Sequence, residues 1–198
     1  MQNPIISFKD YSYHYRAQVE PTITNINLEI YKGERIIIVG PSGCGKSTLA
    51  HCLNGLNPFS YPGEHTGSLE ICGIEASESG IFELSRHVGT VLQDSDGQFI
   101  GLTVAEDIAF ALENDCIPRS EMHREVERIA ELVDVKRVLK HAPHEISGGQ
   151  KQRVSLGGVM VGQVDVLLFD EPLANLDPAT GKQAIVLIDE IQKRTGCA

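Results

Sequence analysis

Ile146-Ser147-Gly148-Gly149-Gln150 (ISGGQ) decides the reading of this chain, because of what stands on either side of it. Upstream runs Gly40-Pro41-Ser42-Gly43-Cys44-Gly45-Lys46-Ser47, which fits G-x-x-x-x-G-K-[ST], the pattern of a phosphate-binding loop. Downstream, the apolar run Val166-Leu167-Leu168-Phe169 ends in two adjacent carboxylates, Asp170 and Glu171. A phosphate loop needs glycine, because successive backbone N–H groups must curl around phosphate oxygens with no Cβ in the way. Arg35-Ile36-Ile37-Ile38-Val39, just before it, is the pattern of a strand buried on both faces. Residues 46–55 read as a helix whose N-terminus adds partial positive charge. A plain glycine turn before an ordinary helix is the alternative, and the strand–loop–helix order speaks against it.

Composition sets the bounds. At 198 residues the chain is long enough for one large domain, or for one domain carrying an inserted lobe. The net charge of −10 argues against a broad nucleic-acid-binding face, so no nucleic-acid partner is expected. Nucleotide binding does not conflict with that charge, since a phosphate loop works through backbone N–H groups and one lysine. No run approaches the ~18–20 apolar residues of a membrane span, and the first residues lack the charged flank and apolar core of a signal peptide. Cys44, Cys52, Cys72, Cys116 and Cys197 are odd in number and lack C-x-x-C spacing. They predict a reduced, cytosolic compartment with neither a disulfide framework nor a zinc site.

Along the chain, residues 5–15 and 24–30 alternate as strands of an antiparallel edge sheet, and 68–72 and 87–92 read as further strands. From Thr103 the periodicity turns helical, with Val104, Ile108, Ala111 and Leu112 on one face. Ser120 is placed to cap a second helix through Val133, and a third should open at Ser147. Residues 164–169 return to a buried strand. Asp177-Pro178 supplies a cap and a first-turn proline for a helix to about Arg194. The expected class is α/β: a nucleotide-binding core, about 1–93 and 163–198, with a helical lobe at about 94–162.

Several residues carry competing readings. Two carboxylates closing an apolar strand are costly without a cation or a proton; the bland alternative is an exposed strand end. Ser147, Gly148 and Gly149 would open a helix and present N–H donors, or simply start a helix aimed at nothing. Tyr11, Tyr13 and Tyr15 alternate and so share one face, for stacking on a base or for packing. Gln93, directly after the predicted strand that ends Val88-Gly89-Thr90-Val91-Leu92, is by itself ordinary surface.

The three motifs, in this order, resemble the ATP-binding-cassette (ABC) ATPases, whose signature is LSGGQ; the resemblance runs from about Ile5 to the end. It implies one ATP-binding domain using ATP and Mg²⁺. The loop residues Gly40, Pro41, Ser42, Gly43, Cys44 and Gly45, with Lys46, Ser47 and Thr48, would hold the phosphates, and Cys44 sits at a variable, non-catalytic position. Ser47, Gln93 and Asp170 would serve Mg²⁺, Glu171 would be the general base, and Gln93 would also contact the attacking water. Ser147, Gly148, Gly149 and Gln150 would meet the γ-phosphate of ATP held by an opposing cassette. That implies a head-to-tail pair, with Ala174-Asn175-Leu176-Asp177 as the D-loop at its interface. Tyr15 best matches the aromatic that stacks on adenine. The family's switch histidine should follow a strand beyond the last helix. All seven histidines precede Asp170. The expectation is therefore the N-terminal part of a longer polypeptide, or a truncated product, with poor ATP hydrolysis by residues 1–198 alone.

Gln93-Asp-Ser-Asp-Gly-Gln-Phe99 and Thr103-Val-Ala-Glu-Asp-Ile-Ala-Phe110 resemble Q-D-P-D-x-Q-F and T-V-x-x-D-V-A-F of energy-coupling-factor (ECF) ATPases. Residues 57–67 also look like members with two cassettes fused in one chain. The resemblance implies uptake of a vitamin or of cobalt or nickel. It also implies a second ATPase, as a homo- or heterodimer or a fused cassette, and a location peripheral to the cytoplasmic face of the membrane. A transmembrane coupling subunit and a substrate-binding membrane subunit complete the set. The alternatives are a soluble ABC protein of repair or translation, which would carry a coiled coil or basic arm, and a nucleotide-binding module that no longer hydrolyses ATP.

Overall fold

The computed structural model describes residues 3–92, 96–172 and 177–198. The chain forms two compact units. One comprises Met1–Gly89, Val164–Leu168 and Gly196–Ala198, the other Thr90–Gln163 and Phe169–Thr195.

In chain order the first unit runs β1 (Ile6–Tyr15), β2 (Ile23–Ile30), α1 (Lys46–Leu53), α2 (Leu56–Phe59), β3 (Gly63–Ile71), β4 (Ile74–Glu75) and α3 (Ile81–Leu84). The strands form an antiparallel sheet in the order β2-β1-β3-β4. Ile6 faces Ile30 on one side and Ile71 on the other, and Phe8 faces Leu28 and Leu69. The register then shifts, with Asp10 at φ 48. Asp10 is held there by Asn27: its N–H donates to Asn27 Oδ1 at 3.0 Å, and Asn27 Nδ2 donates to its carboxylate at 2.9 Å. This bulge switches the inward set from Ile6 and Phe8 to Tyr11 and Tyr13. Strict alternation in the sequence therefore holds only on either side of Asp10.

Tyr13 is wholly buried, and its hydroxyl donates to the Tyr61 carbonyl at 2.6 Å. With Leu69, Ile71 and Leu84 it forms the centre of this unit's core. The expected strand at 35–39 is not formed. Ile37 is 86% and Val39 84% exposed, and no ladder among the described residues includes them. β-Branched composition favours a strand only where a neighbour supplies hydrogen bonds and packing, and no described strand pairs with this run.

β5 (Val88–Val91) begins in the first unit and ends in the second, which continues with α4 (Val104–Asn114), α5 (Arg119–Leu132) and α6 (Gly148–Met160). β6 (Val166–Phe169) pairs with β5, and α7 (Pro178–Thr195) follows. Thr103 and Glu106 cap α4 reciprocally, and its Val104, Ile108 and Leu112 are buried, as the spacing predicts. α5 begins after Pro118 rather than on a Ser120 cap, and that cap position makes no side-chain hydrogen bond. α6 packs on α4 and α5, with Gly157 set against Ile108 and Ile129 and Val154, Leu156 and Met160 buried. Only Val166 of β6 is fully buried, and Leu167 to Phe169 are half-buried. The sequence predicted a strand buried throughout, but β6 has one partner strand among the described residues, and on its other side Ala198 accepts from Leu167 N at 2.9 Å and donates to Asp165 O at 3.0 Å.

Candidate functional site

The phosphate loop lies in the first unit. Gly45 is the residue before α1, at φ 97, and makes no side-chain cap to the helix N-terminus. A Cβ there would lie 2.7 Å from Ile23 Cγ2 and 3.0 Å from the Thr22 carbonyl, so no other residue fits. Gly43 also has positive φ, 80. The chain thus reaches α1 through two left-handed glycines and leaves the helix start to whatever anion approaches it. Lys46 Nζ donates to the carbonyls of Gly40 and Pro41, each at 3.0 Å, which holds the ammonium across the loop. Pro41, Ser42, Cys44 and Ser47 are exposed.

Two nominated residues meet each other rather than the loop. The Tyr15 hydroxyl donates to Thr48 Oγ1 at 3.2 Å, and Asn57 Nδ2 donates to the same tyrosine oxygen at 3.3 Å. Asn57 Nδ2 also donates to the Thr48 carbonyl at 3.2 Å. Thr48 is buried, with its side chain turned to Tyr15. Tyr15 is half-buried, edge-on to Tyr13 at 5.2 Å. Tyr11 and Tyr13 are core residues. Asn57, which the sequence did not mark, ties the tyrosine to α1.

The signature and the carboxylates lie in the second unit. Ser147 caps α6: its hydroxyl accepts from Gln150 N at 3.3 Å, and Gln150 Oε1 accepts from Ser147 N at 2.9 Å. S-x-x-Q is therefore a capping box as well as a motif, a signal legible in the sequence but not read there. A Cβ on Gly149 would come within 2.8 Å of Thr180 Cγ2, so glycine admits α7 at this point. A cavity of about 510 Å³ opens beside these residues, lined by Ser147, Gly148, Gly149, Gln150, Asp177 and Thr180 among others. Asp177 accepts from Ala179 N at 3.0 Å and Thr180 N at 3.2 Å, the expected cap of α7. The Thr180 hydroxyl bond and these N–H bonds hold its carboxyl below the usual range. Gln152 donates to the Pro172 carbonyl, linking α6 to the segment after the carboxylates.

Asp170 is half-buried and its N–H donates to Val91 O at 3.1 Å, which fixes the end of β6. Glu171 is exposed and adopts φ 47, a left-handed conformation that costs a non-glycine residue about 1–2 kcal/mol. Strain of this kind concentrates at functional positions. Gln93 and Ala174 to Leu176 lie outside the described residues.

A nucleotide-phosphate loop, a pair of carboxylates at a strand end and a glycine-opened helix define an ABC ATP-binding domain. The family model for ABC transporters matches residues 23–174, and this chain belongs to that family. It is 56% identical over 195 residues to an ABC transporter ATP-binding protein of Enterococcus faecalis, covering 98% of this chain and 34% of that one. A similarly named protein of Clostridium perfringens is 60% identical over 189 residues, covering 96% and 33%. The chain thus spans about a third of the length of the curated relatives it matches. Among solved structures, CbiO1 of Clostridium perfringens, described as part of the ABC transporter complex CbiONQ, matches with a TM-score of 0.88 at 30% identity. That match covers 98% of this chain and 76% of CbiO1. Both chains share the α/β ABC ATPase fold. Membership implies ATP binding. No helix among the described residues is long and apolar enough to cross a membrane.

Proposed function

We propose that this chain is an ATP-hydrolysing cassette that energises ECF-type uptake of a vitamin or a transition-metal ion. The observation that carries the ATP site is the start of α1, reached through left-handed Gly43 and Gly45 and spanned by the Lys46 ammonium. Gly40 to Lys46 hold the β- and γ-phosphates through backbone N–H groups and one cation, and catalysis rests on positioning and charge. Exposed Ser47 and half-buried Asp170 offer the hard oxygen ligands that suit Mg²⁺, with Gln93 as a further ligand. Bound Mg²⁺ would neutralise phosphate charge. Glu171 accepts the proton of the attacking water, and Tyr15 stacks on the adenine.

Ser147 to Gln150 take the γ-phosphate of a second cassette's ATP. Relatives about three times as long as this chain support a second cassette fused in the same polypeptide. Residues 94–162 act as the helical lobe that docks the transmembrane coupling subunit at the cytoplasmic face, and a membrane subunit selects the cargo. The test is uptake in membrane vesicles carrying the full-length protein and its co-purified membrane subunits. ATP-dependent accumulation of a vitamin or of Co²⁺ or Ni²⁺ that is lost in Glu171→Gln supports the reading. ATP hydrolysis that is indifferent to membrane subunits and drives no uptake refutes it.

A further inference from the structure

The five cysteines show no metal-binding spacing in sequence, yet the fold brings one of them to a histidine and an aspartate. Cys72, His87 and Asp165 each offer one donor atom, and these atoms all lie within 4.8 Å of one another. His87 Nδ1 is 2.9 Å from Asp165 Oδ2, and the Cys72 thiol lies 3.8 Å from the same oxygen. All three belong to the first unit and come from three separate turns. Cys72 and Gly73 form the two-residue tip of the β3–β4 hairpin, with φ of 53 and 79. Both residues at positive φ is the primed turn such a hairpin requires. His87 and Asp165 precede β5 and β6.

Backbone bonds fix the positions independently of the side chains. Cys72 N donates to Ile5 O at 2.7 Å, while Asp165 N and Val166 N both donate to His87 O at 2.9 Å. Ala198 N donates to Asp165 O at 3.0 Å. The cluster is not sealed: the His87 and Asp165 side chains are 30% and 37% exposed, which leaves a path for an ion and room for a water.

We propose that Cys72, His87 and Asp165 form a binding site for a borderline divalent transition ion of the zinc class, with water as the fourth ligand. One sulfur, one imidazole nitrogen and one carboxylate oxygen are the donor set such an ion takes in tetrahedral coordination. Ligand bonds of about 2.0–2.3 Å place tetrahedral donor atoms roughly 3.3–3.6 Å apart. The His87–Asp165 contact must open slightly and the Cys72–Asp165 contact must close slightly, both within reach of side-chain rotation. Burial and the neighbouring Asp165 carboxylate push the Cys72 thiol up to about 11, with Lys32 opposing them, so an ion that binds here must displace the thiol proton. The bound ion would clip the β3–β4 hairpin to the starts of β5 and β6. Oxygen-only ligands elsewhere in the chain would hold Mg²⁺, so the thiolate distinguishes this site from the nucleotide site.

The experiment titrates Co²⁺ into metal-stripped, nucleotide-free full-length protein in excess Mg²⁺ and follows visible and near-ultraviolet absorption. One Co²⁺ per chain should bind with tetrahedral d–d bands and a thiolate charge-transfer band, and Zn²⁺ should bleach both. Cys72→Asn, which suits the left-handed turn, should abolish the charge-transfer band with the other four cysteines intact. His87→Ala and Asp165→Ala should each weaken Co²⁺ by more than the roughly 10–100-fold that losing a mere supporting partner costs. Zn²⁺ should raise the thermal midpoint of the wild type and of none of the three variants. A wild type without a thiolate band, a band that survives Cys72→Asn, or His87→Ala binding as the wild type does would overturn the assignment. If Cys72→Asn fails to fold by circular dichroism, the half-exposed His87 variant alone decides.

Discussion

Replacing Lys46 by alanine should separate nucleotide affinity from folding. In the structure its ammonium makes two hydrogen bonds to loop carbonyls, at 3.0 Å each. When phosphate arrives those bonds are exchanged for contacts with anionic oxygens. A hydrogen bond to a charged partner contributes about 1.5–3 kcal/mol and an ordinary one about 0.5–1.5 kcal/mol. Two of the first kind, less two of the second, leave about 2–3 kcal/mol of binding tied to this residue. At 1.4 kcal/mol per tenfold, Lys46→Ala should weaken MgATP roughly 30–150-fold. Titration calorimetry on the full-length protein measures this directly. Where a second cassette is present, its own loop lysine is replaced in both proteins, so that the titration reads this site alone. Far-UV circular dichroism should not change, because Lys46 contributes no side chain to the core. A loss of less than about threefold would mean that the ammonium does not face the phosphates.

Glu171→Gln keeps the side chain's shape and removes the base, so ATP should still bind while turnover falls about 10²–10⁴-fold; steady-state phosphate release at wild-type rate would exclude Glu171 as the base. Ser147→Ala breaks the capping box with Gln150 and should cost about 1 kcal/mol of helix stability, read as a lower thermal midpoint with Gly148 and Gly149 untouched. Tyr13→Phe leaves the Tyr61 carbonyl without its donor and should destabilise by about 1–3 kcal/mol in a denaturant titration. An unchanged midpoint would show that water replaces the hydroxyl.

The motifs were legible because their chemistry is local. Glycines that must be left-handed, a lysine that opens a helix, and Asp177 before Pro178 each act within a few residues of themselves. The helical stripe Val104, Ile108 and Leu112 was legible for the same reason, since helix periodicity needs no distant partner. What escaped the sequence depended on distant chain. Residues 35–39 have strand composition but no ladder among the described residues, and β6 is less buried than its apolar run predicts. The bulge at Asp10 depends on Asn27 across the sheet. Thr48 follows the loop motif, yet it is drawn to Tyr15 by packing that no spacing reveals. The meeting of Cys72, His87 and Asp165 joins residues far apart in the chain, where cysteine spacing alone predicted no metal site.

The loop at the start of α1 is proposed to hold the phosphates of MgATP. The most direct test is a structure of the full-length Glu171→Gln protein with MgATP. In that structure the β- and γ-phosphates should be cradled by the N–H groups of residues 43–47, with Lys46 turned from the Gly40 and Pro41 carbonyls onto them and Asp170 near the Mg²⁺. Ser147 to Gly149 should face the γ-phosphate of the ATP held by the opposing cassette. Triphosphate density away from residues 40–47, or Lys46 still bound to its loop carbonyls with nucleotide present, would contradict it.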